Sequence, residues 1–229
     1  MSTFVKLVAL YEKCGLSVQS SLSPAHFPGF NLAEIPFTYI YDGDEKLSKG
    51  GGISLSEIAF FEAVFEHYHP KNILVIGNSL GWSTLALGLI NPAASIVAID
   101  LCPREAERRG IEVTNMLGKY LTANVLAVEG RSPDAIRPVA EEKLEGLIDF
   151  VFIDGRWRKA CFLSALLYCQ SPMLVLWDDY ADRPQYHVFD EIILPVEMIG
   201  RSALYEVKPK NYDALEVIDK YLGVFGDWG

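Results

Sequence analysis

Five short apolar runs, at residues 73–76, 95–100, 124–128, 148–154 and 173–177, constrain the fold of this chain more than any other feature. Each has strand length, and the chain between one and the next is long enough for a helix. Continuous apolar strands are buried on both faces, and parallel neighbours need a helix-sized crossover. The pattern predicts an α/β fold with a doubly wound, mostly parallel sheet. Helices are expected from Ser54, from Ser83, over 103–121, near 158–169 and around 184–193. The first carries a capping signature, Ser54 with Glu57, and apolar Ile58, Phe61, Val64 and Phe65 at helical spacing before Pro70. Residues 196–199 and 203–207 are separated only by a Gly200-Arg201 turn region, so they form an antiparallel hairpin and bring the sheet to seven strands.

Ahead of this core, Phe4, Leu7, Val8 and Leu10 predict a helix over residues 3–14. A Ser-, Pro- and Gly-rich connector over 19–36 follows, with turn punctuation at Asp42-Gly43-Asp44 and Lys49 to Gly52. Residues 1–53 are therefore read as a helix and lid-like connector packed on a core domain of 54–229. Thirty acidic against twenty basic residues give a formal charge of -10, which disfavours nucleic acid and anionic membrane and favours a small-molecule substrate. No apolar stretch is long enough to span a bilayer, no secretory leader is evident, and four scattered cysteines suit reduced thiols. A cytoplasmic protein is expected, and a homodimer is compatible with these features.

In open α/β sheets ligands sit beyond the C-terminal ends of the strands. After the first strand comes Gly77-Asn78-Ser79-Leu80-Gly81-Trp82-Ser83, a glycine turn opening a helix, where backbone can approach a ligand closely. The dinucleotide fingerprint requires glycine where Ser79 stands. Asp100, with Leu101 beside it, ends the second strand, where a carboxylate accepts ribose hydroxyls or caps a helix. The third loop begins Gly130-Arg131-Ser132-Pro133 and places Ser132 at a nucleobase edge or at a helix start. The fourth presents Asp154 with Arg156, Trp157, Arg158 and Lys159. The fifth presents Asp178, Asp179 and Tyr180.

Taken together these loops resemble the catechol and caffeoyl-coenzyme A O-methyltransferase-like branch of the class I S-adenosylmethionine-dependent methyltransferases, over roughly residues 54–208. The G-x-x-x-G-[YW]-S motif falls on Gly77, Gly81, Trp82 and Ser83. The resemblance implies a Rossmann-like methyltransferase fold and an S-adenosylmethionine site drawn from Gly77, Asn78, Ser79, Gly81, Trp82, Ser83, Asp100, Leu101, Gly130, Arg131, Ser132, Asp154 and Trp157. It puts the branch's ribose-binding acid on Asp100, its adenine-side serine on Ser132, and its metal ligands on Asp154, Asp178 and Asp179. Two positions depart from the pattern: Val75 replaces an often acidic residue, and Trp157 stands where a catalytic lysine would, with Arg158 and Lys159 next to it.

The implied reaction is methylation of a hydroxyl oxygen on a small metabolite, with Asp154, Lys159 and Asp178 as candidate catalytic residues. Three acidic side chains would suit Mg²⁺. The alternative is metal-free, with Asp154 or Asp178 as base or as partner of Arg156 and Lys159. An NAD(P)-dependent oxidoreductase on a related sheet and a non-catalytic nucleoside-cofactor-binding protein are the competing functions. His187 is read as a packing or surface histidine, and His26 lies in the connector.

Overall fold

The computed structural model describes residues 1–20, 38–47, 52–209, 217, 220–221 and 223–224. Helix α1 (Thr3–Glu12) is capped by Ser2 and gives way to β1 (Leu16–Ser20) after Gly15, whose φ of 77° is left-handed. Strands β2 (Thr38–Asp42) and β3 (Glu45–Lys46) pair with it into a small antiparallel sheet in the order β1-β2-β3. The sequence pattern does not anticipate this sheet. Most of the expected connector, including His26, and residues 49–51 of the glycine run lie outside the described residues.

The main elements then alternate: α2 (Leu55–His67), β4 (Asn72–Ile76), α3 (Trp82–Ile90), β5 (Ser95–Asp100), α4 (Glu105–Gly118), β6 (Asn124–Glu129), α5 (Ile136–Lys143), β7 (Phe150–Ile153), α6 (Arg158–Tyr168) and β8 (Met173–Trp177), followed by β9 (Glu197–Ile199) and β10 (Ser202–Val207). Helix α2 starts at the predicted capping box, in which the Ser54 side chain accepts from the Glu57 N–H and the Ser54 N–H donates to Glu57. Residues 184–193 depart from expectation. Only Pro184–Phe189 is helical, as a tight 3₁₀ turn; Pro184 has no N–H to give, and Pro195 bars a long continuation.

The seven-stranded sheet has the order β6-β5-β4-β7-β8-β10-β9. Pairs from β6 to β8 are parallel, while β10 runs antiparallel between β8 and β9, with Ala203 opposite both Trp177 and Met198. Successive residues of each strand serve opposite faces. Ile73, Val75, Ile96, Ala98, Phe150 and Phe152 pack with α1 to α4, whereas Leu74, Ile76, Val97, Ile99, Val151 and Ile153 pack with α5 and α6. On the first face Phe65 meets Phe150 edge-on at 4.9 Å and Phe61 meets Phe152 at 5.3 Å. This double coverage is why the strands read as continuous apolar runs.

Candidate functional site

The order of the strands reverses at β4, with β5 on one side and β7 on the other, and this is the crevice where open α/β sheets bind ligands. Backbone bonds carry the ladder one residue past the strand ends. The Gly77 N–H donates to Ile99 O at 2.9 Å, Asp154 to Ile76 O at 2.8 Å, and Asp178 to Ile153 O at 3.0 Å. Register alone therefore brings Gly77, Asp100, Asp154 and Asp178 to one edge.

The two glycines of the first loop are required for different reasons. Gly77, at φ 96°, lies against the fourth loop, and a Cβ there would meet Gly155 N at 2.6 Å and the Asp154 carbonyl at 2.7 Å. Gly81, at φ 82°, caps α3, and a Cβ there would lie 2.2 Å from Thr114 Oγ1. Ser79 also has a positive φ, 46°. Side chains fasten the turn from behind. Asn78 is buried, donating from Nδ2 to Thr114 Oγ1 at 2.9 Å and accepting at Oδ1 from Thr84 at 3.0 Å. The Tyr11 hydroxyl donates to Leu80 O at 2.7 Å, and Trp82 Nε1 donates to Ile53 O at 3.1 Å. Asn78 and Trp82 border the cavity, yet their polar side-chain atoms are committed to internal bonds.

Asp100 Oδ2 accepts from the amides of Asn78 at 2.9 Å and Ser79 at 2.6 Å. Burial raises its pKa, opposed by these amides. The arrangement sets a carboxylate on the turn amides that a dinucleotide fold would use to cradle pyrophosphate. A second anion there would meet Coulomb repulsion, whereas the hydroxyls of a ribose would not.

The crevice holds a cavity of about 310 Å³, at the lower end of the range for small-molecule sites. Gly77, Ser79, Ser83, Asp100, Asp154 and Arg156 form much of its wall, with Ile40 and Ile53 contributed by the N-terminal segment. Leu101, Gly130, Arg131, Ser132 and Trp157 do not line it. Leu101 is 37% exposed, Arg131 stacks over the Trp157 ring at 5.0 Å, and Ser132 is buried.

Beside it lies a second cavity of about 230 Å³, sharing Gly52, Ile53, Asp154 and Arg158 with the first. Here the carboxylates expected to hold a metal meet arginines instead. Arg158 reaches Asp154 Oδ1 at 2.7 Å, Asp178 Oδ2 at 3.5 Å and Asp179 Oδ2 at 2.9 Å. Asp179, at a left-handed φ of 61°, also pairs with Arg183 at 2.8 Å and Arg201 at 2.5 Å. Among the described residues no group of three acidic, histidine or cysteine side chains is disposed to hold a metal ion. The donor set does not fit Mg²⁺, because its oxygens are already engaged by guanidinium groups.

The acids of the cluster are shifted in opposite directions. Burial and then the adjacent Asp178 charge push Asp154 well above the usual carboxylate range. Burial acts on Asp178 too, but Arg158 and Arg201 outweigh it and hold Asp178 low. Glu57, anticipated only as a helix cap, also lines the second cavity, where burial and Asp178 raise it from 4.5 to about 7. Lys159, a sequence candidate for catalysis, is buried in the first turn of α6 and lines neither cavity. The cations that line the cavities are Arg156, Arg158, Arg183 and Arg201. His187 stacks on the Tyr180 ring at 4.4 Å, a packing role. Sequence places Arg158 in the fourth loop beside the expected lysine position, but local sequence carries no signal for its partners, nor for Arg201 or Glu57 as site residues, because the sheet brings them together.

No family model and no curated protein matches the chain. Solved structures do. A methyltransferase-like protein from Silicibacter pomeroyi superimposes with a TM-score of 0.56 and 21% identity, covering 78% of this chain and 98% of its own. A methyltransferase from Geobacter sulfurreducens gives 0.51 at 14% identity, over 69% of this chain and 80% of its own. With its strand order, its antiparallel last strand and these likenesses, the chain has the fold of the solved Rossmann-like methyltransferases.

Proposed function

We propose that the protein is an S-adenosylmethionine-dependent methyltransferase acting on a small molecule, with a hydroxyl oxygen as the methyl acceptor. The observation that carries this reading is the Asp100 carboxylate seated on the amides of the glycine turn at the wall of the 310 Å³ cavity. That wall favours a ribose over a pyrophosphate. S-adenosylmethionine supplies an electrophilic methyl on a sulfonium, whose carbon–sulfur bond breaks with its electron pair going to sulfur. The chain's contribution is mainly positioning, which is worth about 7–11 kcal/mol in well-oriented reactions.

Asp154 lines both cavities, so it stands between a cofactor in one and an acceptor in the other. Burial and the Asp178 charge make its carboxylate more basic than usual, so it is the candidate base for the acceptor's proton. Asp178 lines only the second cavity, where Arg158 and Arg201 hold it ionised. Calorimetry with S-adenosylmethionine, S-adenosylhomocysteine and NAD tests the assignment. Saturable binding of the first two and not of NAD is expected; NAD binding without S-adenosylmethionine binding would refute it.

A further inference from the structure

Six oxygen atoms surround the guanidinium of Arg158. Its Nε donates to Gly155 O at 2.9 Å, NH1 to Asp178 O at 2.7 Å, and NH2 to Asp154 O at 3.4 Å. The carboxylate oxygens Asp154 Oδ1, Asp178 Oδ2 and Asp179 Oδ2 complete the set at 2.7, 3.5 and 2.9 Å. All-oxygen coordination by carboxylates and backbone carbonyls is the environment that hard divalent cations select, typically with six or more ligands. Here it encloses a side chain that is 9% exposed.

We propose that Arg158 is a covalently attached substitute for a divalent cation, filling the oxygen cage between the loops after β7 and β8, so that the site takes no metal. Charge agrees with this. Asp154, Asp178 and Asp179 face Arg158, Arg183 and Arg201 across contacts of 2.5–3.5 Å, and an added divalent ion would leave an excess of buried positive charge. The planar fork also does what a metal ion does mechanically. It ties the fourth loop to the fifth, holding Asp154 at the boundary of the two cavities, with Nε, NH1 and NH2 each donating to an acceptor. Arg158 is thus a positioning residue in the methyltransferase reading, on which its catalytic meaning rests.

The test uses Mn²⁺ alone, followed by electron paramagnetic resonance, on the full chain. The wild-type protein is expected to leave the free-ion signal unchanged. Arg158→Met, which removes the guanidinium from the cage, is expected to bind about one Mn²⁺ at least tenfold more tightly than wild type, with the gain lost in Arg158→Met/Asp178→Asn. One saturable Mn²⁺ site in the wild type that disappears in Asp178→Asn would overturn the proposal. So would a folded Arg158→Met that gains no site. Arg158→Gln serves the same comparison if the methionine variant does not fold, and the wild-type titration decides independently of both. Calorimetry with S-adenosylmethionine on the same wild-type sample separates the two assignments: absent cofactor binding sinks only the proposed function, and Mn²⁺ binding sinks only this one.

Discussion

Replacing Glu57 with glutamine is expected to stabilise the protein above pH 7 and to leave it nearly unchanged close to pH 4.5. In the fold, burial and the Asp178 charge raise this carboxyl from 4.5 to about 7, while its bonds from Ser54 and the nearby Arg201 only partly offset them. Between those two pH values the unfolded chain has released the proton and the folded chain still holds it. Stability from this group is therefore complete below the unfolded value and is lost as pH rises through about 7. At about 1.4 kcal/mol for each pH unit of separation, ionised Glu57 costs on the order of 3 kcal/mol above pH 7. Glutamine keeps an oxygen to accept the Ser54 N–H, which donates at 2.6 Å, and carries no charge to bury. Urea denaturation of wild type and Glu57→Gln from pH 4.5 to 8.5 reads the difference. The two stabilities are expected to converge at the acid end, separate through the interval, and run parallel above it with the variant ahead. Profiles that stay parallel throughout would refute the reasoning, since Asp154 and every other titrating group is common to both proteins.

Gly77→Ala places a methyl against the Gly155 amide at a φ of 96°; a loss of on the order of 2–4 kcal/mol in urea and at least tenfold weaker S-adenosylmethionine binding by calorimetry are expected. Tyr11→Phe strands the buried Leu80 carbonyl, so stability measured by denaturation falls by about 1–3 kcal/mol while cofactor affinity holds within a few-fold. Asp100→Asn removes the charge seated on the turn amides, and the S-adenosylmethionine dissociation constant is expected to rise tenfold or more, equivalent to about 1.4 kcal/mol.

The sheet was legible because doubly covered strands must be apolar at consecutive positions, and runs such as residues 150–153 and 173–177 have no other use for so much β-branched and aromatic surface. The start of α2 was equally plain, since Ser54 and Glu57 sit three apart, within one turn. Register explains why Gly77, Asp100, Asp154 and Asp178 could be assigned to one edge from sequence, for each ends or directly follows a strand. What register does not reveal is direction of side chains and choice of partner. Asn78 and Trp82 carry groups that suit a ligand, yet each finds a nearer partner in Thr114 or Ile53. Arg158 belongs by sequence to the fourth loop, but it meets Asp178 and Asp179 of the fifth, and no local pattern marks that choice of partners. The strand Leu16–Ser20 was hidden for another reason: it is half polar and sits at the edge of a small sheet, where Gln19 and Ser20 read as linker.

Gly77 and Gly155 lie back to back, each occupying the space a side chain on the other loop would need: a Cβ on Gly155 would itself approach Gly77 N at 3.2 Å. Over evolutionary time this couples two stretches of sequence that otherwise have little in common. Drift at one position is tolerated only if the opposite loop retreats, which would move Asp154 off the sheet edge, so descendants of this chain are expected to keep both glycines or to change both. Distant kin too diverged for ordinary matching should then be recognisable by this pair, one glycine directly after the first core strand and the other directly after the aspartate that ends the fourth.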